Sequence, residues 1–296
     1  MTKTKIKYRK LPFLLLALFL GYFFIKSINN SLFFNRRDRI NFIIYGQQAT
    51  FYSLGLEDKV NYLISFPADV KIKIPGGYRY YRVGALGKLV SLEKKPEIFR
   101  KAFSLATSSF LDYYFYPSNN SRIYFNDKDS AGGGNFSWQL FLSSPSNANF
   151  FDRLFLWIQM VSKKSQHFVI IKPDTNLIKG DRVFSEEDFA KTYLGYFYDK
   201  AYRIEKHNVQ ITYTKSYITA KAVSDLIEGN GIRVVDIAQK SENPGNCRVI
   251  EDKAGIFSRT AKNLAKFFDC NLEKGKTELS DIILILGKKE GEWEVN

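Results

Sequence analysis

Asp69 stands at the head of a strand-like segment, SFPADVKIKIPGG (Ser65–Gly77), in which Val70, Ile72 and Ile74 alternate with Lys71 and Lys73. Just beyond it, GGYRYYRVGALGKL (Gly76–Leu89) carries Arg79, Arg82 and Lys88 among Tyr78, Tyr80 and Tyr81. A carboxylate can hold a hard cation through its oxygens, and guanidinium groups grip phosphate with paired N–H donors. Asp69, Arg79, Arg82 and Lys88 are therefore candidate ligand-binding residues for an anion such as a sugar phosphate or a headgroup. A plainer reading is also open. Alternation of this kind puts one face on a core and the other in water, so the cations can be the wet side of a strand and a solvated hairpin.

Other chemistry-bearing patterns are thinner. NDKDSAGGG (Asn126–Gly134) has Asn126, Asp127 and Asp129 where a calcium loop begins but lacks its closing glutamate, and it reads as a polar loop. His167 and His207 lie far apart in sequence and read as structural, and two cysteines cannot build a four-ligand zinc site. No serine, histidine and acid cluster suggests nucleophilic catalysis, and no glycine-rich phosphate loop follows a strand.

The elements that must position these residues come from charge and hydropathy. The net charge is +14 over 296 residues, and Lys3, Lys5, Lys7, Arg9 and Lys10 crowd the N-terminus without an acid. The rest of the excess is diffuse and belongs to the middle of the chain, which argues against a nucleic-acid partner. Next comes LPFLLLALFLGYFFIKSI (Leu11–Ile28), whose uninterrupted apolar part, Leu11–Ile25, makes a helix about 22 Å long at the usual rise. That is short of a ~30 Å hydrocarbon core, but Lys26 can snorkel and Ile28 can extend the span. A signal anchor is the expectation, with residues 1–10 in the cytoplasm and the bulk outside, in a single-pass plasma-membrane topology; a buried helix or a cleaved signal peptide are the alternatives.

Downstream, RINFIIYG and KVNYLISF read as buried strands, Ile98, Phe99, Ala102, Phe103 and Ala106 have helical spacing, and FFDRLFLWIQM is an apolar-faced helix followed by the strand HFVIIK. The final 90 residues or so alternate as β-α-β-β-α-β, a small two-layer α/β unit. Expected divisions are a basic tail at 1–10, the anchor at 11–28, an α/β domain at 29–205 and the C-terminal domain at 206–296. In that last unit the start of the strand at Cys247 and the end of the helix before Cys270 lie at one end. The two sulfurs can thus bond, contributing roughly 3 kcal/mol, or remain two small buried hydrophobes.

VNYLISFPADVKIKIPG resembles the strand with a serine, Pro-Arg-Asp and valine-isoleucine-Pro-Gly core of the LytR-CpsA-Psr family of bacterial cell-envelope proteins. AKAVSDLIEGNGIRVVDIA and AKNLAKFFDC…DIILILGK resemble the LytR C-terminal domain. The resemblance implies an α/β fold with an N-terminal transmembrane helix, an extracytoplasmic LytR-CpsA-Psr-like domain and the small C-terminal domain. Complete members move a glycopolymer from polyprenyl pyrophosphate to peptidoglycan, with arginines on the pyrophosphate and aspartates on Mg2+.

In this chain Pro67 and Asp69 match the motif, while Ala68 stands where the arginine belongs. Upstream, QQATFYSLGLEDK lacks the family's acid-arginine-x-Asp-Thr run, leaving only Glu57 and Asp58 as nearby acids, and YTKSYI replaces an Asn-Gly-rich turn. The resulting expectation is a membrane-anchored envelope module that binds an anionic glycopolymer, a lipid-linked precursor or an envelope partner. The alternative is a divergent, magnesium-dependent phosphotransferase in which Arg79, Arg82 and Lys88 replace the lost donor and Asp69 holds the metal.

Overall fold

The computed structural model describes residues 11–29, 31–35, 37–119, 122–124, 138–173, 175–178, 180–240, 245–252 and 255–295. The basic tail and the calcium-like stretch Asn126, Asp127, Asp129 lie outside the described residues. In chain order the helices are α1 (Leu11–Asn29), α2 (Leu86–Glu93), α3 (Glu97–Thr107), α4 (Trp138–Ser143), α5 (Phe150–Val161), α6 (Glu186–Tyr193), α7 (Lys200–Glu205), α8 (Tyr217–Gly229) and α9 (Arg259–Phe268). The strands are β1 (Arg39–Tyr45), β2 (Ala49–Gly55), β3 (Asn61–Phe66), β4 (Lys71–Ile74), β5 (Arg79–Arg82), β6 (Tyr113–Phe115) and β7 (Val169–Ile171). They continue with β8 (Thr175–Ile178), β9 (Asp181–Phe184), β10 (Asn208–Tyr213), β11 (Arg233–Gln239), β12 (Arg248–Glu251), β13 (Asn271–Lys274) and β14 (Ile282–Ile285). These elements form two compact units, one of Met1–Arg37, Asn135–Ser143 and Ala148–Lys163, the other of the remaining chain.

The first unit is built on α1, α4 and α5. Asn149 caps α5 by accepting from the Asp152 N–H at 2.9 Å, and Asp152 Oδ1 accepts from the Leu32 N–H at 2.8 Å. Edge-to-face ring pairs, Phe24–Phe151 at 5.3 Å and Phe33–Phe155 at 5.2 Å, continue that contact.

The anchor expectation is corrected here. Among the described residues no helix is long and apolar enough to cross a membrane. The helix expected at 11–28 forms as α1, with Lys26 in its last turn. Its apolar run remains about 22 Å against a hydrocarbon core of ~30 Å. The transmembrane helix, the signal anchor, the membrane as partner through a single pass, and the plasma-membrane localisation drawn from them fall with that finding.

The second unit holds three sheets, ordered β6-β1-β2-β3-β7, β5-β4-β9-β8 and β11-β10-β14-β12-β13. In the first sheet β2 is buried along its whole length between its antiparallel neighbours β1 and β3. A core of Phe51, Ile64, Phe66, Ile72, Ile74, Phe99, Phe103 and Phe184, among others, packs this sheet and the inner side of β4 against α2 and α3. β4 alternates half-buried Lys71 and Lys73 with buried Ile72 and Ile74, the period of two that one wet and one dry face demand.

A second core packs α8 and α9 on the third sheet through Val223, Leu226, Ile227, Ala261, Leu264 and Phe268. Both helices start at serines, Ser216 and Ser258, whose side chains accept from the third N–H onward, Thr219 and Ala261. The order is β-α-β-β-α-β-β rather than β-α-β-β-α-β. The added strand, β13, pairs in parallel with β12 alone at the sheet edge, and its sequence NLEK carries too little apolar pattern to be read as a strand.

Candidate functional site

The register of the four-stranded sheet builds the site. Lys71 lies opposite Arg82 and Lys73 opposite Tyr80 across the β4–β5 hairpin. On the other side of β4, Val183 of β9 pairs with Lys71, and β8 sets Asn176 opposite Val183 and Ile178 opposite Asp181. Paired residues share a face of a pleated sheet, so these eight side chains form one outward surface.

One end of that surface is ionic. Lys71 Nζ donates to Asp181 Oδ2 at 2.6 Å and Arg82 Nη2 donates to Oδ1 at 2.8 Å. These two hydrogen bonds hold the Asp181 carboxyl below the usual carboxylate range. Beside it, Arg182 Nη1 donates to Asp69 Oδ2 at 3.1 Å. Arg182, opposite Leu177 in the register, points to the other face, so on this surface two cations hold one carboxylate, an excess of one positive charge.

The other end is a groove of about 640 Å3, floored by Lys73, Tyr80, Asn176, Ile178 and Val183. Leu105, Ala190 and Leu194, with Ile218 and Ala222 of α8, make its apolar walls, and Lys191 and Lys221 stand at its edge with Glu187 and Asp225. Lys73 Nζ sits 5.5 Å over the Tyr80 ring. The Lys73 N–H donates to Glu186 Oε1 at 3.0 Å, and burial pushes the Glu186 carboxyl up. A volume of this size takes a small organic ligand or one end of a longer one.

Of the residues singled out in the sequence, Asp69 and Arg82 each form an ion pair with β9, Asp69 with Arg182 and Arg82 with Asp181. Arg79 does not: it pairs with Ile74 at the far end of the hairpin, with a φ of 61°. Lys88 is half-buried on α2 and lines neither this groove nor the other cavities described here. Ala68, where the resemblance calls for arginine, is buried with 1% exposure, and its carbonyl accepts from the Gly84 N–H at 2.9 Å. Gly84 is needed there, since a Cβ on it would stand 2.0 Å from the Tyr124 carbonyl oxygen. Lys71, Asp181 and Arg182 were missed as site residues. Lys71 read only as the wet side of a strand, and the β9 pair carries no local motif.

Glu57 and Asp58 lie elsewhere, around a cavity of about 330 Å3 with Asp38, Arg39, Tyr198 and Lys200. Lys200 Nζ pairs with Glu57 at 2.8 Å and Arg39 with Asp58. Next to them Asp199 is pushed up to about 7, by burial and then by its hydrogen bond with Asp38, although Arg259 Nη2 donates to it at 3.0 Å. His167 accepts from the Lys164 N–H at 2.9 Å, and His207 stands 3.8 Å from Asp281. Cys247 and Cys270 are joined as a disulfide with their Cα atoms 4.7 Å apart.

The magnesium that the transferase alternative requires does not fit these residues. Asp69 faces Arg182, Asp181 faces Lys71 and Arg82, and among the described residues no three histidine, cysteine or acidic side chains gather to hold a metal.

No protein-family profile matches the chain, and no characterised protein sequence matches it. Solved structures similar to it include Bacillus subtilis TagV, with a TM-score of 0.36 and 9% identity over 53% of this chain and 96% of that one. B. subtilis TagT follows with a TM-score of 0.36 and 11% identity over 52% and 88%. A LytR-CPS2A-psr family protein, YwtF (TagT) with bound octaprenyl pyrophosphate lipid, has a TM-score of 0.34 and 10% identity over 52% and 87%. The chain is thus similar, at low identity and over about half its length, to LytR-CpsA-Psr proteins, the family its sequence resembles.

Proposed function

We propose that the chain is a binding module for an anionic, partly apolar ligand of the class of a lipid-linked or phosphate-bearing glycopolymer precursor of the cell envelope. The observation that carries this reading is the continuity of one sheet face, where Lys71 and Arg82, closed on Asp181, run into the apolar-walled groove over Ile178 and Val183. A phosphate displaces Asp181 from Arg82 and Lys71, and an apolar tail follows Ile178, Leu194 and Ile218. Solvent screens exposed ion pairs of this kind, so opening them costs little. The disulfide supports a chain that works where thiols are kept oxidised.

The test is calorimetric titration of the full chain with a soluble prenyl pyrophosphate. K71Q/R82Q should weaken binding at least about tenfold, because both cations of that face are lost. D181N should tighten it, because it frees Lys71 and Arg82 from their partner. Equal affinity in wild type and both variants, or no binding by a folded wild-type chain, sinks the reading.

A further inference from the structure

A second cavity, of about 700 Å3, opens between the β4–β5 turn and the α2–α3 link on one side and the end of α9 with the C-terminal segment on the other. Its lining holds six cations, Lys94, Lys95, Arg100, Lys101, Lys266 and Lys289, against three carboxylates, Glu97, Asp269 and Glu292. The carboxylates are all taken. Arg100 Nε pairs with Glu97 at 2.6 Å, Lys101 with Glu292 at 2.6 Å, and Lys289 with both Asp269 and Glu292 at 2.9 and 3.0 Å. Arg100 is committed further, donating Nη1 to the Phe267 carbonyl at 3.1 Å and lying 4.9 Å over the Phe267 ring. Glu93, the acid beside Lys94, is engaged by the Tyr78 hydroxyl.

Three exposed lysines remain at the rim. Among the described residues Lys94, Lys95 and Lys266 form no ion pair, and they come from two separate segments of the chain facing one cavity. Lys94 is held in a left-handed conformation, φ 53°, as the residue closing α2, so its backbone is fixed by the helix end rather than free to drift. Lys101 lies 5.7 Å over the buried Trp293 ring, and the Gly76 N–H donates to the Glu294 carbonyl at 2.9 Å.

We infer that this cavity is a second anion site, separate from the sheet-face groove, for a ligand with closely spaced phosphate groups. Three point-charge ammonium groups with no carboxylate left to satisfy them suit a compact polyanion better than a single carboxylate. The site takes its ligand from solution or from the headgroup of a phospholipid; the phosphate chemistry is the same.

The experiment is titration of the full chain at low salt with inorganic tripolyphosphate, with citrate as a carboxylate control, and with phosphatidic-acid vesicles as the headgroup source. Tripolyphosphate should bind in a step that weakens about tenfold or more in K94A/K95A/K266A and survives in K71Q/R82Q, whatever it also binds on the sheet face. All three lysines are exposed, so the triple variant should fold, with a thermal unfolding curve to show it. Vesicle binding lost in the same variant, with tripolyphosphate inert, assigns the phosphate to a headgroup and still supports the site. Wild-type affinity in the triple variant, equal binding of citrate, or no binding of either phosphate source overturns it. Loss of all tripolyphosphate binding in K71Q/R82Q alone places phosphate binding on the sheet face and overturns the second site while leaving the proposed function standing.

Discussion

Replacing Glu290 by glutamine should unfold the C-terminal part of the chain more than any change of a single surface charge. Glu290 is 2% exposed, at the C-terminal end of the chain, yet it organises the turn between β10 and α8. Its Oε2 accepts from the Thr214 N–H at 2.8 Å and hydroxyl at 2.7 Å, and its Oε1 from the N–H groups of Lys215 and Ser216 at 2.8 and 2.7 Å. All four partners are donors, so only a group with two accepting oxygens satisfies them. Glutamine has one. Turned one way, its NH2 faces the N–H groups of Lys215 and Ser216 and leaves both unpaired. Turned the other, the Thr214 hydroxyl can rotate to accept, but the Thr214 N–H is orphaned.

The better of these loses at least one bond to a charged acceptor, leaves a buried donor unsatisfied and weakens the remaining bonds. The expected cost is about 2–4 kcal/mol. Burial works against the ionised form of Glu290, but the bonds from Thr214, Ser216 and Lys215 outweigh it and hold the carboxyl below its ordinary 4.5. Its stabilisation is therefore complete above the unfolded value and is lost as pH falls through the folded one. Urea unfolding of wild type, E290Q and T214V at pH 7 provides the assay. T214V, which removes only the hydroxyl, should cost about 1 kcal/mol. An E290Q protein within about 0.5 kcal/mol of wild type would refute the four-donor argument.

Three other outcomes are expected. Reducing the disulfide, or C247S/C270S, should lower stability by about 3 kcal/mol, since the bond closes a loop of 23 residues' separation; equal melting temperatures with and without reductant would count against it. G229A should cost about 3 kcal/mol or more, because its Cβ would stand 1.8 Å from the Ser108 carbonyl oxygen, which is backbone and cannot swing aside; circular dichroism melting reads the loss. Because Asp199 is raised from 3.8 to about 7 by burial and by Asp38, the folded chain binds more protons than the unfolded one between those values. Stability from this group should fall as pH rises across about 4 to 7, and D38N, which removes the neighbouring charge but can keep the bond from Lys200 N–H, should flatten that fall when unfolding free energy is measured against pH.

How far the sequence discloses this fold follows from what each element depends on. β1, β3 and β4 are legible because apolar runs or strict alternation end at glycine, proline or a polar break, α8 because a 3.6-residue apolar stripe stops at Gly229-Asn230-Gly231, and α9 because a serine cap precedes such a stripe. β2 is not, since a strand buried along all seven residues needs no alternation, and ATFYSLG shows none. Residues 11–28 show the opposite failure. The anchor expectation relies on a snorkelling Lys26 and on Ile28 to lengthen a short apolar run, whereas no described helix is long and apolar enough to cross a membrane.

The site was half visible for a related reason. Asp69, Lys71 and Arg82 sit within 14 positions of one another, and their types announce anion chemistry, but the residues that pair with them, Asp181 and Arg182, lie 99, 110 and 113 positions away. Only a single pairing, Lys71 with Val183, joins β4 to β9 and fixes that encounter. A slip of one residue would turn Asp181 to the other face and leave Lys71 and Arg82 unpaired. Residue type therefore told which chemistry was possible at this surface, whereas register decided how much charge was left over for a ligand, and register is a property of the assembled sheet.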